Sequence, residues 1–357
     1  MQYIRKTRNP PGSPPGLWQD SVGREYRVSL ISYSAERYEI REDFDAGYCR
    51  QRLQSGDTLW LDIEGIPSAN LLRDLAELFS LHHLILEDIW HAGQRAKMED
   101  YERTIFLILR RPRWKPHGLK FSQVSLLLGE NFVISIDDDI GDDQFAPVRQ
   151  RLEDAPHGRL RTSGTDYLFY ALTDLVVDQG FPVLERYADE LEALEGAILA
   201  DPRQTALMDR IHSARRELVF LHRVLWSQQE ASEMLLRHDS PLIKPATEVY
   251  LRDCSDHARH LLEQADSYEQ MSRALLDLLM SAVSQQLNEI IRVLTIFAAI
   301  FVPLSVIVGL YGMNFDTAVS PWNMPELRWR YGYPMALGLM AVIAGGLLYY
   351  FRRKRWL

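Results

Sequence analysis

VLTIFAAIFVPLSVIVGLYGMNF, residues 293–315, is a run of 23 residues without a charged side chain. A second uncharged run of 21 residues, YGYPMALGLMAVIAGGLLYYF, covers 331–351. A helix needs about 20 apolar residues to cross the roughly 30 Å hydrocarbon layer of a bilayer. The alternative, a pair of buried core helices, fits runs of this length poorly. The sequence therefore predicts two membrane-spanning helices, the first at about 293–313 and the second at 331–351.

The six residues that follow the second span, RRKRWL at 352–357, form a basic tail. Basic residues next to a span favour the cytoplasmic side, and Trp is enriched at membrane interfaces. The first sixteen residues, MQYIRKTRNPPGSPPG, hold no apolar stretch of the kind a signal peptide needs. We therefore expect a multi-pass protein of the cell (inner) membrane, with its N- and C-termini in the cytoplasm.

The averages of the 357-residue chain hide this membrane part. Its 46% hydrophobic residues and mean hydropathy of −0.20 are typical of a soluble protein. Residues 293–357 carry six basic and two acidic side chains, a net charge of +4. Because the whole chain has a net charge of −9, residues 1–292 have a net charge of −13. Such an acidic part attracts cations. Nucleic acid, which needs a clustered basic surface, is not expected as a partner.

The part before the spans divides by pattern. Residues 1–20, rich in Pro and Gly, indicate a flexible lead-in. Residues 21–160 alternate strand-like and helical stretches, which predicts a cytoplasmic α/β domain, a mixed sheet with flanking helices. The predicted strands are 26–33, 58–63, 104–110, 124–128 and 132–136, and the predicted helices are 68–79 and 84–90. No glycine-rich phosphate loop, Cys/His metal cluster or nucleophile elbow is present, so there are no candidate catalytic residues and no enzyme is expected.

Residues 161–245 are expected to form a cytoplasmic helical part. Asp201-Pro202 predicts the start of one helix, with Asp at the N-cap and Pro in the first turn. Residues 185–195 form an acidic helix face. A solvated surface explains this face, and collection of cations or docking of the basic tail are the alternatives.

A long helix is expected at 246–314, continuing from a stalk into the first span. The 57 residues between Pro245 and Pro303 include neither Pro nor Gly, and 57 residues of helix extend about 85 Å. Small and apolar residues recur along them every three or four positions, as in a seam that packs against other helices. The seam consists of Leu251, Cys254, Ala258, Leu261, Ala265, Tyr268, Ser272, Leu275, Leu279 and Ala282.

One face of the first span becomes small toward its outer end, with Ala298, Ser305 and Gly309. Small residues permit close helix packing, and the same face would also line a narrow uncharged conduit. Neither span contains Asp, Glu, Lys or Arg, which argues against proton-relay transport. Since two helices cannot enclose a pore, transport would require a closed ring of subunits.

Several motifs carry a family resemblance. The first span ends in YGMNF at 311–315, and MPELRW follows at 324–329. Further matching residues are LEDI at 86–89, QR at 94–95, NE at 288–289, VLT at 293–295, PL at 303–304 and the terminal WL. With these motifs the chain resembles, over nearly its whole length, the CorA family of magnesium channels, whose signature is Gly-Met-Asn at the outer end of the first span. The resemblance implies a funnel-shaped homopentamer in the lipid bilayer.

The resemblance also implies roles for residues. Gly312, Met313 and Asn314 would form a selectivity filter whose neutral oxygens act on the water shell of Mg²⁺, an ion that loses water reluctantly. The implied polar ring, apolar constriction and remaining pore lining are Asn288, Ile291, Leu294, Ala298, Val302, Ser305 and Gly309. Two of these residues, Ile291 and Val302, stand where Met is common in the family.

Mg²⁺ is the implied cargo and the implied regulatory ligand, and Co²⁺ or Ni²⁺ are further candidate cargoes. Four carboxylates would bind intracellular Mg²⁺ between neighbouring subunits and hold the closed state: Glu87, Asp88, Asp174 and Asp253. The extracytoplasmic loop at 315–330 would present an acidic ring at Glu326, although residues 316–323 lengthen this loop relative to short family members.

Two other functions stay open. A zinc transporter of the related class would share the fold. A membrane-anchored sensor or scaffold without conduction would suit the seam, the acidic domain and the anchors, but it gives no reason for the Gly-Met-Asn placement.

Overall fold

A computed structural model of the chain describes residues 25–115, 118–155, 157–316, 318–320 and 322–356. The expected lead-in at 1–20 and Leu357 lie outside the described residues. The chain divides into two compact units. The first holds the described residues up to Gly196 together with Ala206–Leu275, and the second holds Ala197–Thr205 with Leu276 onward.

A seven-stranded sheet organises the first unit. Its order is β2-β1-β3-β7-β6-β5-β4, and every neighbouring pair is antiparallel except β3 and β7, which are parallel. The strands are β1 Tyr26–Tyr33, β2 Tyr38–Arg41, β3 Thr58–Gly65, β4 Lys97–Asp100, β5 Ile105–Lys115, β6 Gly118–Leu128 and β7 Phe132–Asp137. The sequence analysis missed β2 and β4, which lie at the two edges of the sheet.

The helices are distributed through both units. They are α1 Ala46–Gln54, α2 Ala69–Phe79, α3 His83–Trp90, α4 Ala146–Asp154, α5 Arg159–Thr162, α6 Thr165–Asp178, α7 Gly180–Ala200, α8 Ala206–Arg237, α9 Pro245–Tyr311 and α10 Gly332–Arg353. Ser68 caps α2, because its hydroxyl accepts a hydrogen bond from the Leu71 N–H at 3.2 Å. The predicted helix start at Asp201-Pro202 is wrong: the Asp201 carboxylate accepts from the Arg203 N–H within a turn, and α8 begins at Ala206.

The sheet is buried on both faces, which explains apolar runs such as Ile105–Leu109 at the start of β5. One face packs with residues of α1, α2 and α3, and the other with residues of α4, α5, α6, α8 and the first turns of α9. Alternate residues of a strand serve opposite faces, so Leu30 belongs to the first core and Ile31 to the second. The predicted mixed sheet with flanking helices is therefore confirmed.

Within the central strands a buried polar chain links β3 to β7. The Trp60 indole donates to the Ser135 hydroxyl at 2.9 Å, and that hydroxyl donates to Asp62 at 2.6 Å. Arg149 of α4 completes the chain by pairing with the second oxygen of Asp62. Without such hydrogen-bond and ion-pair partners, burial of a charged carboxylate costs free energy.

The long helix is continuous over 67 residues in α9, with Pro303 inside it. Eight of the ten seam residues are buried, and Tyr268 and Ala282 are partly buried. The seam therefore packs inside the chain, as a three-four repeat of apolar residues predicts.

Among the residues that the structure describes, two helices, α9 and α10, are long and apolar enough to cross a membrane by length and composition. In the apolar stretch of α9 at 293–311, every residue except Ile296 is exposed or only partly buried. A 3-10 helix, Pro325–Arg328, lies between α9 and α10 and contacts α10.

Candidate functional site

The segment directly after α9 holds the three predicted filter residues. α9 ends at Tyr311, and the Gly312 N–H donates to the Val308 carbonyl at 2.9 Å. A Cβ on Gly312 would lie 3.1 Å from that carbonyl oxygen, so the absence of a side chain suits the turn. The side chains of Met313 and Asn314 are exposed. The helix end therefore presents neutral side-chain and backbone oxygens to the surroundings.

The loop that follows is held by its own polar groups. The Asp316 carboxylate accepts from the Ala318 N–H at 2.8 Å, and its carbonyl accepts from the Asn323 side-chain amide at 2.7 Å. Glu326, the predicted outer acid, is half-buried in the 3-10 helix. A Cβ on Gly332 would lie 2.2 Å from the Glu326 carbonyl oxygen, so this close approach requires glycine.

The predicted pore-lining residues share one side of α9. At 3.6 residues per turn they fall within an arc of about 120°, and all are exposed in the chain: Asn288, Ile291, Leu294, Ala298, Val302, Ser305 and Gly309. Ile296, on the other side of the helix, is buried. Leu294 exposes 68% of its surface. An exposed row of apolar and small residues is a surface left for contact with other molecules.

The basic tail lies beside the cytoplasmic end expected for this row. A cleft of about 410 Å³ is lined by Gln285, Asn288, Glu289, Ile291, Arg292, Thr295 and Trp356. The Trp356 ring stacks on Phe351 with ring centroids 5.7 Å apart. The structure thus brings an aromatic residue of the tail next to Asn288 and Ile291.

Two of the four predicted regulatory carboxylates, Asp174 and Asp253, lie where α6 and α9 meet. Asp174, Asp178 and His257 have possible ligand atoms that all lie within 4.8 Å of one another; we name these three the α6–α9 cluster. His257 Nδ1 is 2.9 Å from Asp178 Oδ1, and its Nε2 is 3.9 Å from Asp253 Oδ2. The arrangement offers carboxylate oxygens and an imidazole to a divalent cation.

The electrostatics of this cluster favour a positive partner. Burial, together with the negative charge of Asp178, raises the pKa of Asp174 to about 6, against the opposing charge of His257. Asp174 Oδ2 accepts from the Tyr170 hydroxyl at 3.4 Å. Among the described residues, buried Oδ1 has no hydrogen-bond partner. A cation would satisfy this oxygen and relieve the repulsion between the carboxylates.

The other two predicted carboxylates, Glu87 and Asp88, sit on α3. Asp88 Oδ2 accepts from Lys97 Nζ at 2.5 Å, and the Asp88 carbonyl accepts from Gln123 Nε2 at 3.0 Å. The described residues contain two groups of three possible metal ligands, and neither group includes Glu87 or Asp88. Within one chain the four carboxylates therefore do not form one site.

Asp178 and His257 were missed by the sequence analysis. Each stands four residues after a predicted ligand, Asp178 after Asp174 and His257 after Asp253. Residues four apart share a helix face, so this spacing was the available signal. The packing of α6 against α9, which brings the two pairs together, depends on the tertiary structure and does not follow from this spacing.

Comparisons with known proteins bear on the family of the chain and on its fold. The protein-family model described as CorA-like Mg²⁺ transporter protein matches residues 55–353. The cobalt/magnesium transport protein CorA of Thermotoga maritima is 36% identical over 350 residues, which are 97% of this chain and 97% of that protein.

Solved structures with low identity share the fold. The CorA magnesium transporter from Methanocaldococcus jannaschii matches with a TM-score of 0.74 at 19% identity, over 92% of this chain and 98% of that one. The cytoplasmic domain of ZntB from Vibrio parahaemolyticus matches with a TM-score of 0.58 at 12% identity, over 73% of this chain and 99% of that one. The predicted fold class, an α/β domain with a long helix and a C-terminal apolar helix, is confirmed.

Proposed function

Because the chain belongs to the CorA-like Mg²⁺ transporter family, we propose that it carries divalent cations, Mg²⁺ first among them, through a membrane channel built from five copies. The observation that carries the proposal is the exposed neutral row on α9, which ends at Gly312-Met313-Asn314. One copy supplies one such row, so a ring of copies is needed to close a pore around it. α9 and α10 would be the two spans, with both termini in the cytoplasm.

The filter would act on a hydrated ion. Mg²⁺ prefers octahedral oxygen ligands and keeps its water. A ring of Asn314 amides and Gly312 carbonyls offers neutral acceptors to that water shell, without a carboxylate that would bind the ion too tightly for conduction. Co²⁺, which appears in the name of a relative, would pass as a further cargo. Ni²⁺, which has the same charge, would pass as well.

The gate would lie at the other end of the row. Ile291 and Leu294 would form an apolar constriction that excludes a hydrated ion until the helices move apart. Asn288 would provide a second polar ring beside it. The exposure of Ile291, 58%, and of Leu294 supports this placement, since neither side chain is covered by its own chain.

Regulation would use the acidic side chains of the first unit. Asp174 and Asp253, with Asp178 and His257 beside them, would bind intracellular Mg²⁺ and favour the closed state. A second contribution, from Glu87 and Asp88 of a neighbouring copy, would join adjacent subunits. The unpartnered Asp174 oxygen supports a cation at this place.

The test of transport is uptake of divalent cations by liposomes that contain the purified protein. Asn314→Ala should abolish Mg²⁺ uptake, because it removes the filter amides. Asn70→Ala, an exposed asparagine of α2, is the matched control and should leave uptake unchanged. Uptake of Zn²⁺ without Mg²⁺, Co²⁺ or Ni²⁺ would favour the zinc class, and no uptake of any of them would favour a non-conducting scaffold.

The test of regulation is the sensitivity of that uptake to Mg²⁺ inside the liposome. Asp174→Asn combined with Asp253→Asn should leave uptake high at internal Mg²⁺ concentrations that close the wild type. Asp256→Asn, an exposed acid of the same helix, serves as the control. Unchanged inhibition in the double variant would refute this sensor.

A further inference from the structure

A second set of possible metal ligands lies on α8 and α9, away from the residues discussed above. His222, Asp266 and Glu269 have possible ligand atoms that all lie within 4.8 Å of one another. His222 comes from α8, whereas Asp266 and Glu269 are three residues apart on one face of α9. All three belong to the first unit. We name them the α8–α9 cluster.

The packing of the two helices sets this juxtaposition. Buried Leu218 and Leu225 of α8 lie one turn to either side of His222, and buried Ala265 precedes Asp266 on α9. An ion pair between Glu233 and Arg259, at 3.3 Å, joins the same two helices further along α8 and earlier along α9. The helices therefore run antiparallel side by side, and the cluster is positioned by regular helix packing.

The geometry is close to that of a bound transition metal. Around a tetrahedral ion with bonds of about 2.1 Å, neighbouring ligand atoms are about 3.4 Å apart. His222 Nε2 and Asp266 Oδ1 are already 3.1 Å apart. The remaining separations, up to 4.8 Å, need only small side-chain rotations.

The environment leaves one side of the cluster open. The Glu269 side chain is 13% exposed and His222 is 29% exposed, whereas Asp266 is 58% exposed. An ion can enter past Asp266, and water can complete its coordination. Glu269 also pairs with Arg273, but a carboxylate has two oxygens and can keep that pair while it ligates.

We infer that His222, Asp266 and Glu269 form a binding site for a divalent transition-metal ion, such as Zn²⁺, Co²⁺ or Ni²⁺, that ties α8 to α9. An imidazole nitrogen suits these ions, whereas Mg²⁺ prefers oxygen ligands in a strict octahedron. The site discriminates against Mg²⁺ and is distinct in residues and in ligand chemistry from the proposed conduction path.

The experiment is calorimetric titration of the full-length protein in detergent with Zn²⁺ as the probe. It is done in a background carrying Asp174→Asn and His257→Gln, which disables the α6–α9 cluster. His222→Gln in this background should weaken one Zn²⁺ site per chain by more than about 10-fold. His212→Gln, an exposed histidine of the same helix, is the control and should change nothing.

Two further measurements keep the result decisive. Asp266→Asn, at an exposed position, should weaken the same site, and it decides the question if His222→Gln fails to fold. A 100-fold excess of Mg²⁺ should leave the bound Zn²⁺ in place. Unchanged number and affinity of Zn²⁺ sites in a folded His222→Gln or Asp266→Asn protein would overturn the proposal, as would displacement of Zn²⁺ by equimolar Mg²⁺.

Discussion

Two leucines show how differently the two units use apolar residues. Leu107, on β5 in the first unit, has 0% of its surface exposed, whereas Leu294, on α9 in the second, has 68% exposed. The sheet covers its apolar residues with helices of the same chain on both faces. The apolar part of α9 leaves its apolar residues exposed, among them Phe297, Phe301 and Val302.

The difference identifies which part of the molecule is complete in one copy. Burial of apolar surface drives folding, and the first unit achieves it alone. The second unit has apolar rows that need another solvent or another copy.

The largest expected effect is a difference in stability between two leucine-to-alanine substitutions, one in each unit. Leu107→Ala should lower the free energy of unfolding by about 3 kcal/mol, because it opens a cavity in a packed core. Leu294→Ala should change it by less than about 0.5 kcal/mol, since that side chain packs little within its own chain. Denaturant unfolding followed by circular dichroism in detergent measures both. Equal losses would show that the exposed row is covered.

Two glycines of the second unit, Gly332 and Gly338, differ in how closely other atoms approach them, and this difference can be tested. Gly332→Ala should lower stability by about 1–3 kcal/mol, because its Cβ would press on the Glu326 backbone. A Cβ on Gly338 of α10 has no neighbour within 4 Å among the described residues, so Gly338→Ala should not lower stability. Melting temperatures of the two variants give the answer, and a silent Gly332→Ala would contradict the tight loop contact.

The smallest effect is a pH dependence in the first unit. Burial raises the pKa of Asp62 to about 6, although Ser135 and Arg149 oppose the shift. The unfolded chain has the ordinary value near 4, so from about pH 4 to pH 6 the folded state holds more of this proton. The contribution of Asp62 to stability therefore falls as the pH rises through that window.

Asp62→Asn, which does not titrate, removes this contribution. The free energy of unfolding of this variant minus that of the wild type should increase from about pH 4 to pH 6.5, because only the wild type loses stability in this window. The measurement is denaturant unfolding at several pH values. A constant difference between the two proteins would show that Asp62 has an ordinary pKa.

Local pattern predicted the central strands because they contain apolar runs, such as Ile105–Leu109 on β5. Edge strands lack that signal. β2 and β4 read YEIR and KMED, short and charged, as edges that resist unwanted pairing tend to be. At Asp201-Pro202 the expected residue types cap a turn before α8, so the local signature was correct in chemistry and wrong in position.

The candidate site divides in the same way. The filter segment follows from the motif at 312–314 and from the end of α9, both local features. The α6–α9 cluster depends on how two helices meet, since Asp178 and His257 are 79 residues apart in sequence. The family resemblance selected Asp174 and Asp253, but the contact of His257 with Asp178 required the tertiary structure.

Cross-linking of cysteines on α9 tests most directly whether copies share its neutral row. Both native cysteines are buried, so the wild type is an unreactive control. With a bifunctional thiol reagent, Leu294→Cys should give covalent dimers at twice the 41.4 kDa mass of the chain. Val293→Cys, also exposed in one chain but about 100° around the helix from Leu294 and outside the row, should stay monomeric. Monomers at Leu294→Cys, or equal cross-linking at both positions, would contradict a pore formed around this row.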